Sequence, residues 1–271
     1  MSHRTVDEVA FLQVGQGDAT LISRNGTNIM VDSGPRSDNF DGGQRFVWPE
    51  LHKRNIRKLD AVFLTHFDRD HYGGLEAILQ RVAVDRVIVV DTIGIDEKNK
   101  SILREMGVRS DQLVVLSKAQ RIEIGGLSVD VVPGFSGEGV EDNSKSPFLG
   151  VNFGADRIIL TGDAPREVEE YWNMLGVQGG RIMKAGHHGS DRSMINEWLY
   201  GMKPEYVVFS CGRNNPWGHP TLGARARAHD FGAKTLRTDA QGTIRFEPDA
   251  QGRLQLVADE DRPAILKFLQ R

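Results

Sequence analysis

His66, Asp68, Asp70 and His71 fall within six residues, in the run Thr65-His66-Phe67-Asp68-Arg69-Asp70-His71. A regular helix or strand would spread four such side chains over different faces, whereas a strand-to-helix turn can aim them into one concave space. Imidazole and carboxylate together suit a borderline-to-hard divalent cation such as zinc, manganese or iron. Cys211 is the only cysteine, which excludes an internal disulfide and a cysteine-built zinc site. A charged, solvated turn is the bland alternative. The apolar Phe63-Leu64 before the cluster and Gly73-Gly74 after it weigh against that reading.

Three further groups follow apolar runs of strand length. Asp163 closes Thr161-Gly162-Asp163, where ligands gather at the carboxyl end of a strand. Adjacent His187 and His188 follow Lys184-Ala185-Gly186, and neighbours on an extended chain face opposite ways, so one of the pair is expected at a given cation. Arg213, Asn214 and Asn215 precede Trp217 and His219, and can hold a phosphate or form an ordinary polar turn. Asp18 and Asp32 sit beside glycines near the start of the chain and are expected to orient metal-bound imidazoles.

These groups must be delivered by strands. Short apolar runs over residues 9–14, 19–22, 29–31 and 60–65 are punctuated by glycine-containing turns. A helix over 75–81, a strand over 86–90, a helix over 97–106 and a strand over 113–116 follow. From residue 121 the pattern restarts. Strands over 122–124, 127–132, 148–153 and 157–160 are expected to be antiparallel. Helices over 166–175, 193–200 and 222–231 then alternate with strands over 181–184, 206–210 and 234–237. A further strand over 243–246 and a terminal helix from about Arg262 complete the reading. Two halves of this kind predict an α/β fold, a four-layer αββα sandwich, as one domain over residues 1–271. The Gly-, Ser-, Asp- and Asn-rich stretch at 134–147 is expected to be a functional loop.

Composition narrows the options. With 271 residues, 39% hydrophobic and 26% charged, the chain can bury a sizeable core. A formal charge of −3 gives no general attraction to nucleic acid or anionic membrane, so a polyanion must be held by a local patch or by cations. The basic segment His52-Lys53-Arg54-Asn55-Ile56-Arg57-Lys58 lacks interleaved aromatics and reads as a solvated helix end. No signal peptide or membrane span is apparent, and a cytoplasmic location is expected.

The motifs resemble those of the metallo-β-lactamase superfamily, and more narrowly the hydrolase domain attached to the competence DNA-uptake protein ComEC, in free-standing form. The resemblance rests on Phe11 to Ala19, Val31-Asp32-Ser33-Gly34, Thr65 to Gly74, Asp142-Asn143-Ser144, Thr161-Gly162-Asp163, Gly186 to Ser190 and Asn215 to Pro220. It departs from the broad superfamily in having Asp68 where a histidine is usual and Asn143 where a third histidine is expected, which makes that site harder. The resemblance implies two divalent metal ions, Zn²⁺ or Mn²⁺. His66 and Asp68, assisted by Asn143, would hold one and Asp70, His71 and a later histidine the other, with Asp163 bridging. The later histidine is His188 or His219, with His219 preferred. His187 or His188 then contacts substrate or donates a proton, and His188 is the preferred donor. Asp70 would both bind metal and orient a bridging hydroxide. The activity implied is that of a phosphodiesterase or nuclease acting on nucleic acid or a nucleotide, alone or with a separately encoded partner protein. Hydrolysis of a small phosphodiester (a phosphocholine ester or cyclic nucleotide) or of a lactone, and a non-catalytic metal-binding module, are the alternatives.

Overall fold

A computed structural model describes residues 6–257; the terminal helix expected from about Arg262 lies outside them. The first sheet has eight strands, in the order Leu113–Leu116, Val87–Val90, Ala61–Leu64, Thr27–Val31, Thr20–Arg24, Glu8–Phe11, Ile244–Pro248 and Leu254–Leu256. The second has seven, in the order Gln120–Ile124, Leu127–Val132, Phe148–Phe153, Asp156–Leu160, Ile182–Lys184, Tyr206–Phe209 and Lys234–Arg237. Each sheet is antiparallel in one part and parallel in the other. Thr27–Val31, Ala61–Leu64 and Val87–Val90 run parallel in the first, as do Asp156–Leu160, Ile182–Lys184 and Tyr206–Phe209 in the second.

Side chains alternate between the two faces of each strand by the two-residue period. Val9, Phe11, Ile22, Ile29 and Phe63 face Val129, Leu149, Val151, Ile158 and Val208 between the sheets. Their neighbours Ala10, Leu21, Met30 and Val62 turn the other way and pack with Leu51, Leu75 and Ile78 of the first helical layer. On the far side Phe148, Ile159, Met183 and Val207 pack with Val168, Trp172, Trp198 and Leu199. Three apolar layers separating helix, sheet, sheet and helix make the αββα sandwich. Strands apolar on both faces are buried on both faces, which is why so many read as unbroken hydrophobic runs.

The two halves are not closed units. Ile244–Pro248 crosses back to pair with Glu8–Phe11, Phe246 opposite Val9, and a strand the sequence did not announce, Leu254–Leu256, extends that edge. The first strand ends at Phe11 rather than at residue 14, because Leu12 N–H turns to the Ala19 carbonyl at 2.9 Å. The helix expected from residue 193 starts at Asn196. The buried Glu169 carboxylate accepts the N–H groups of Met194 and Ile195 at 2.8 and 3.0 Å and holds that segment out of helical geometry. In the basic segment the helix ends at Lys53, Arg54 is largely buried against Glu8 at 2.6 Å rather than solvated, and Lys58, on the short strand Lys58–Leu59, pairs with Asp85 at 2.6 Å. Among the described residues no helix is long and apolar enough to cross a membrane.

Trp172 joins the second sheet to its helices. Its ring lies 6.0 Å from Phe148 and 5.7 Å from Trp198, and its Nε1–H donates to the Pro133 carbonyl at 3.0 Å. Trp172→Ala is expected to cost about 3–5 kcal/mol in urea unfolding; a loss below about 1 kcal/mol would contradict this packing.

Candidate metal centre

Most of the candidate residues lie beyond the carboxyl ends of parallel strands, the usual place for a site in such sheets, and Asp18 and Asn143 join them from loops between antiparallel strands. Ala61–Leu64 leads into Thr65 and His66, and the one-turn helix Arg69–Tyr72 carries Asp70 and His71. Asp163 follows Asp156–Leu160, His187 and His188 follow Ile182–Lys184, and His219 lies on the loop after Tyr206–Phe209. Two glycines permit the approach. Gly17, at φ +140°, lets Asp18 N–H reach the Asp70 carbonyl at 3.1 Å, where a Cβ would overlap that carbonyl. Gly162, at φ +50°, brings Asp163 against Thr65, whose Cβ would lie 2.7 Å from an added Cβ.

Asp70, His71, Asp163 and His188 each turn one donor atom toward a common point, all within 4.8 Å of one another. His71 Nε2 lies 3.3 Å from Asp163 Oδ1, and His188 Nε2 lies 3.1 Å from Asp70 Oδ2 and 3.3 Å from Asp163 Oδ2. The far nitrogens of both rings are occupied. His71 Nδ1 is 2.8 Å from Asp32 Oδ2, and His188 Nδ1 is 2.9 Å from the Ser210 carbonyl. Each ring is thereby fixed with Nε2 aimed at the cluster, the arrangement that supports imidazole ligands. Asp32 is in turn held by the N–H and hydroxyl of Thr65 at 2.9 and 2.8 Å.

A second set adjoins the first. The His66 ring is 4.1 Å from that of His71, with its Nε2 3.6 Å from Asp68 Oδ2. His187 Nε2 is 3.7 Å from Asp163 Oδ2, and His187 Nδ1 is 3.5 Å from Asn143 Nδ2. Asp163 therefore stands between the two sets. The expected divergence of His187 and His188 has a different cause from the one anticipated. Both lie in the left-handed region, at φ 45° and 54°, rather than on extended chain. That conformation costs a non-glycine residue roughly 1–2 kcal/mol, and it sends His188 inward, 2% exposed, while His187 remains at the rim, 24% exposed.

Charge at this end is unbalanced. Asp18, Asp32 and Asp163 are buried, and Lys184 is the buried ammonium among them, paired with Asp18 and 3.5 Å from Asp163. Burial alone would lift the Asp163 carboxyl, but His188, His71 and Lys184 hold it well below its usual range. For His71 burial pushes down, and Asp163, Asp32 and Asp70 override it and raise the imidazole well above its usual value. His188 is raised in the same way by Asp163 and Asp18 against the effect of burial. At the rim burial wins: His187 is lowered, and His219 is pushed down to about 4 with help from its histidine neighbours. Buried charges demand compensation, and His66 Nε2, His71 Nε2 and Asn143 Oδ1 are buried without a hydrogen-bond partner. Oxygen and imidazole donors, convergent, anionic and unpartnered, fit divalent cations.

Lys184 escaped the sequence reading. Its signal was a lysine ending the otherwise apolar strand Ile182–Lys184 directly before the paired histidines. One expectation needs correction: Asn215 does not present its amide to a phosphate. Its Nδ2 donates to the carbonyls of Gly212 and His219 at 2.9 and 2.6 Å, and its Oδ1 accepts His219 N–H at 2.9 Å, so it braces the loop. Arg213 and Asn214 are exposed, and Arg213 Nε donates to the Asp239 carbonyl at 2.8 Å. Cys211 is buried and its thiol is pushed up to about 12, chiefly by burial, which leaves it a packing residue.

Comparison with known proteins agrees with this fold. The chain is 28% identical over 256 residues to ComE operon protein 3 of Bacillus subtilis, covering 88% of this chain and 33% of the relative. It is 28% identical over 247 residues to competence protein ComA of Neisseria gonorrhoeae, covering 88% of this chain and 32% of that one. The chain thus spans about a third of the length of these relatives. Two solved structures share the fold. The CmlA β-hydroxylase E377D mutant has a TM-score of 0.63 at 16% identity, covering 89% of this chain and 54% of that one. A diphosphatase from the PhnP family has a TM-score of 0.52 at 15% identity, covering 89% and 98%. The family model for the metallo-beta-lactamase superfamily matches residues 12–213, and with its fold and strand-end donors in place the chain belongs to that superfamily.

Proposed function

We propose that the chain is a metal-dependent hydrolase of phosphodiesters. The observation that carries the reading is the convergence of Asp70, His71, Asp163 and His188 beside His66 and Asp68, an oxygen-rich donor set open to solvent on one side. His188 replaces His219 as the fourth donor of the first group, because its Nε2 faces Asp70 and Asp163 and its Nδ1 is committed to Ser210. His66 and Asp68 would hold the second cation, with Asn143 at its edge, and Asp163, which stands between the two sets, would serve both. When bound, two such cations supply an acidified water and relief of charge on a phosphoryl group. Zinc and manganese both suit these donors.

The chain's own residues do the rest. Asp70, whose side chain is 33% exposed, can accept a hydrogen bond from the attacking water and orient it. Asp32 and the Ser210 carbonyl keep the His71 and His188 rings from turning. His187 and His219, their ring centroids 5.4 Å apart at the rim, are both lowered from the ordinary imidazole range, chiefly by burial, His219 to about 4, and their ring N–H groups are available to a phosphoryl oxygen. This moves the substrate-facing role from His188 to its neighbours. A purely structural cation site has no use for two such imidazoles, which favours a catalyst over a binding module. The PhnP-family neighbour named as a diphosphatase is compatible with phosphoryl chemistry on this fold.

Hydrolysis of bis(p-nitrophenyl) phosphate with added Mn²⁺ or Zn²⁺ tests the reading, and no turnover of any phosphodiester with either metal would sink it. Asp163→Ala should lose more than about 100-fold in activity, while Asp32→Asn, acting through His71 and Thr65, should lose ~10–100-fold. Equal, small losses would show that Asp163 is not shared between cations. His188→Ala should lose bound metal and His219→Ala should keep it; the reverse outcome in metal analysis would restore His219 as the ligand.

A further inference from the structure

We propose that Glu169 is a positioning residue for the metal centre, holding the turn that aims His188 inward; the proposal rests on the reading of His188 as a metal ligand. Glu169 lies on Arg166–Met174, the helix that begins three residues after Asp163, and it is 0% exposed. The helix otherwise buries Val168 and Trp172. Two other buried acids remote from the metal centre are paired with guanidinium groups, Glu8 with Arg54 and Asp156 with Arg181. Glu169 meets backbone instead: Oε1 accepts Met194 N–H at 2.8 Å and Oε2 accepts Ile195 N–H at 3.0 Å. Burial pushes its carboxyl up to about 8, although both N–H groups, Arg227 and Arg166 act the other way. An acid kept at that cost in an apolar layer points to a demand from the segment it binds.

That segment is the return path of the histidine turn. Met194 lies in the left-handed region at φ 57°, and Ile195 precedes the helix Asn196–Met202 without a side-chain cap of its own. Ser193, fully buried, comes immediately before them, and its hydroxyl donates to the Gly186 carbonyl at 2.7 Å and lies 3.2 Å from the Ser190 carbonyl. Those two carbonyls flank His187, His188 and Gly189. Arg227 fastens the same segment, its Nε donating to the Met194 carbonyl and its Nη2 to the Ser193 carbonyl, both at 3.0 Å. At Gly186 an added Cβ would lie 3.3 Å from Glu169 Oε1 and 3.2 Å from Ser193 Cβ. The carboxylate therefore stands directly against the entry to the turn.

The turn needs such a hold. His187 and His188 are both left-handed, a conformation that persists in non-glycine residues only where the surroundings over-determine it. Arg166 N–H donates to the Arg192 carbonyl at 2.7 Å, so the start of the helix is tied to the same segment. The helix thus connects two donors: it follows Asp163 in the chain, and through Glu169 and Ser193 it holds the turn that bears His188. Groups that fix a metal-bound imidazole from outside are worth ~10–100-fold in metal affinity.

Glu169→Gln preserves the side chain's volume and removes one acceptor. Either protonation state of a carboxyl keeps a lone pair on both oxygens, whereas an amide nitrogen has none to offer. Calorimetric titration of metal-free protein with Zn²⁺, well below each variant's melting temperature, compares it with the wild type and with Trp172→Phe, a packing control on the same helix. Glu169→Gln should weaken binding at one of the two sites about ten-fold. Trp172→Phe should lower the melting temperature and bind Zn²⁺ as the wild type does. Wild-type affinity in Glu169→Gln overturns the proposal and leaves the metal-centre reading standing, the carboxylate then being a helix cap and no more. Equal weakening in Trp172→Phe overturns it as well, because affinity would then follow general stability. Should Glu169→Gln not fold, Ser193→Ala, which breaks the next link to Gly186, decides by the same criterion. A wild type that binds no Zn²⁺ defeats the metal-centre reading first and this proposal with it.

Discussion

Three buried carboxylates and one buried ammonium share the end of this sandwich, and the surrounding architecture depends on that imbalance. Asp18, Asp32 and Asp163 are each nearly inaccessible, and Lys184 is shared between Asp18 and Asp163. Buried ions are tolerated when paired and hydrogen-bonded, and removing one partner costs several kcal/mol. Here the unpaired remainder falls on His71 and His188, which the carboxylates drive toward protonation against the effect of burial. A divalent cation meets the same demand with more charge in less space. The left-handed strain at His187 and His188, the glycine approaches at 17 and 162, and the clamp of Thr65 on Asp32 are the conformational costs of gathering these groups at one place.

The sandwich makes that concentration possible. Parallel strands from both sheets end on the same side, so loops far apart in sequence meet there: Asp70 and His188, separated by 118 positions, are hydrogen-bonded at 3.1 Å. The inter-sheet cluster behind them, from Phe11 to Val208, is built of hydrophobic side chains, and Asp18, Asp32, Asp163 and Lys184 are buried at this end. Fold alone does not set the reaction. A β-hydroxylase and a diphosphatase share this architecture at similar identity, so the chemistry has to be read from the donors and the rim.

Much of this was legible in the sequence, for physical reasons. Leu127–Val132 and Phe148–Phe153 matched their expected limits: the first alternates buried and half-buried residues, with Ser128 and Asp130 on its outer face, and the second is buried along almost its whole length. The His/Asp run was legible because four metal-binding side chains in six residues have few other uses. What escaped was long-range. The choice between His188 and His219 depends on a carbonyl at Ser210 and a carboxylate at Asp70. Asn215 looked like a phosphate ligand until its three hydrogen bonds within its own loop were visible. Lys184 drew no attention because a lysine at a strand end is ordinarily solvated. The helix start near residue 193 was misplaced because Glu169, from a different helix, takes the N–H groups that would have begun it.

The central claim is that this anionic, imidazole-rich pocket is built for divalent cations. Calorimetric titration of chelator-stripped protein with Mn²⁺ and with Zn²⁺, read alongside the thermal melting temperature, tests it most directly. Saturable binding of about two ions per chain, with the melting temperature rising as the sites fill, is the predicted result. No saturable binding and an unchanged melting temperature with either metal would contradict the account.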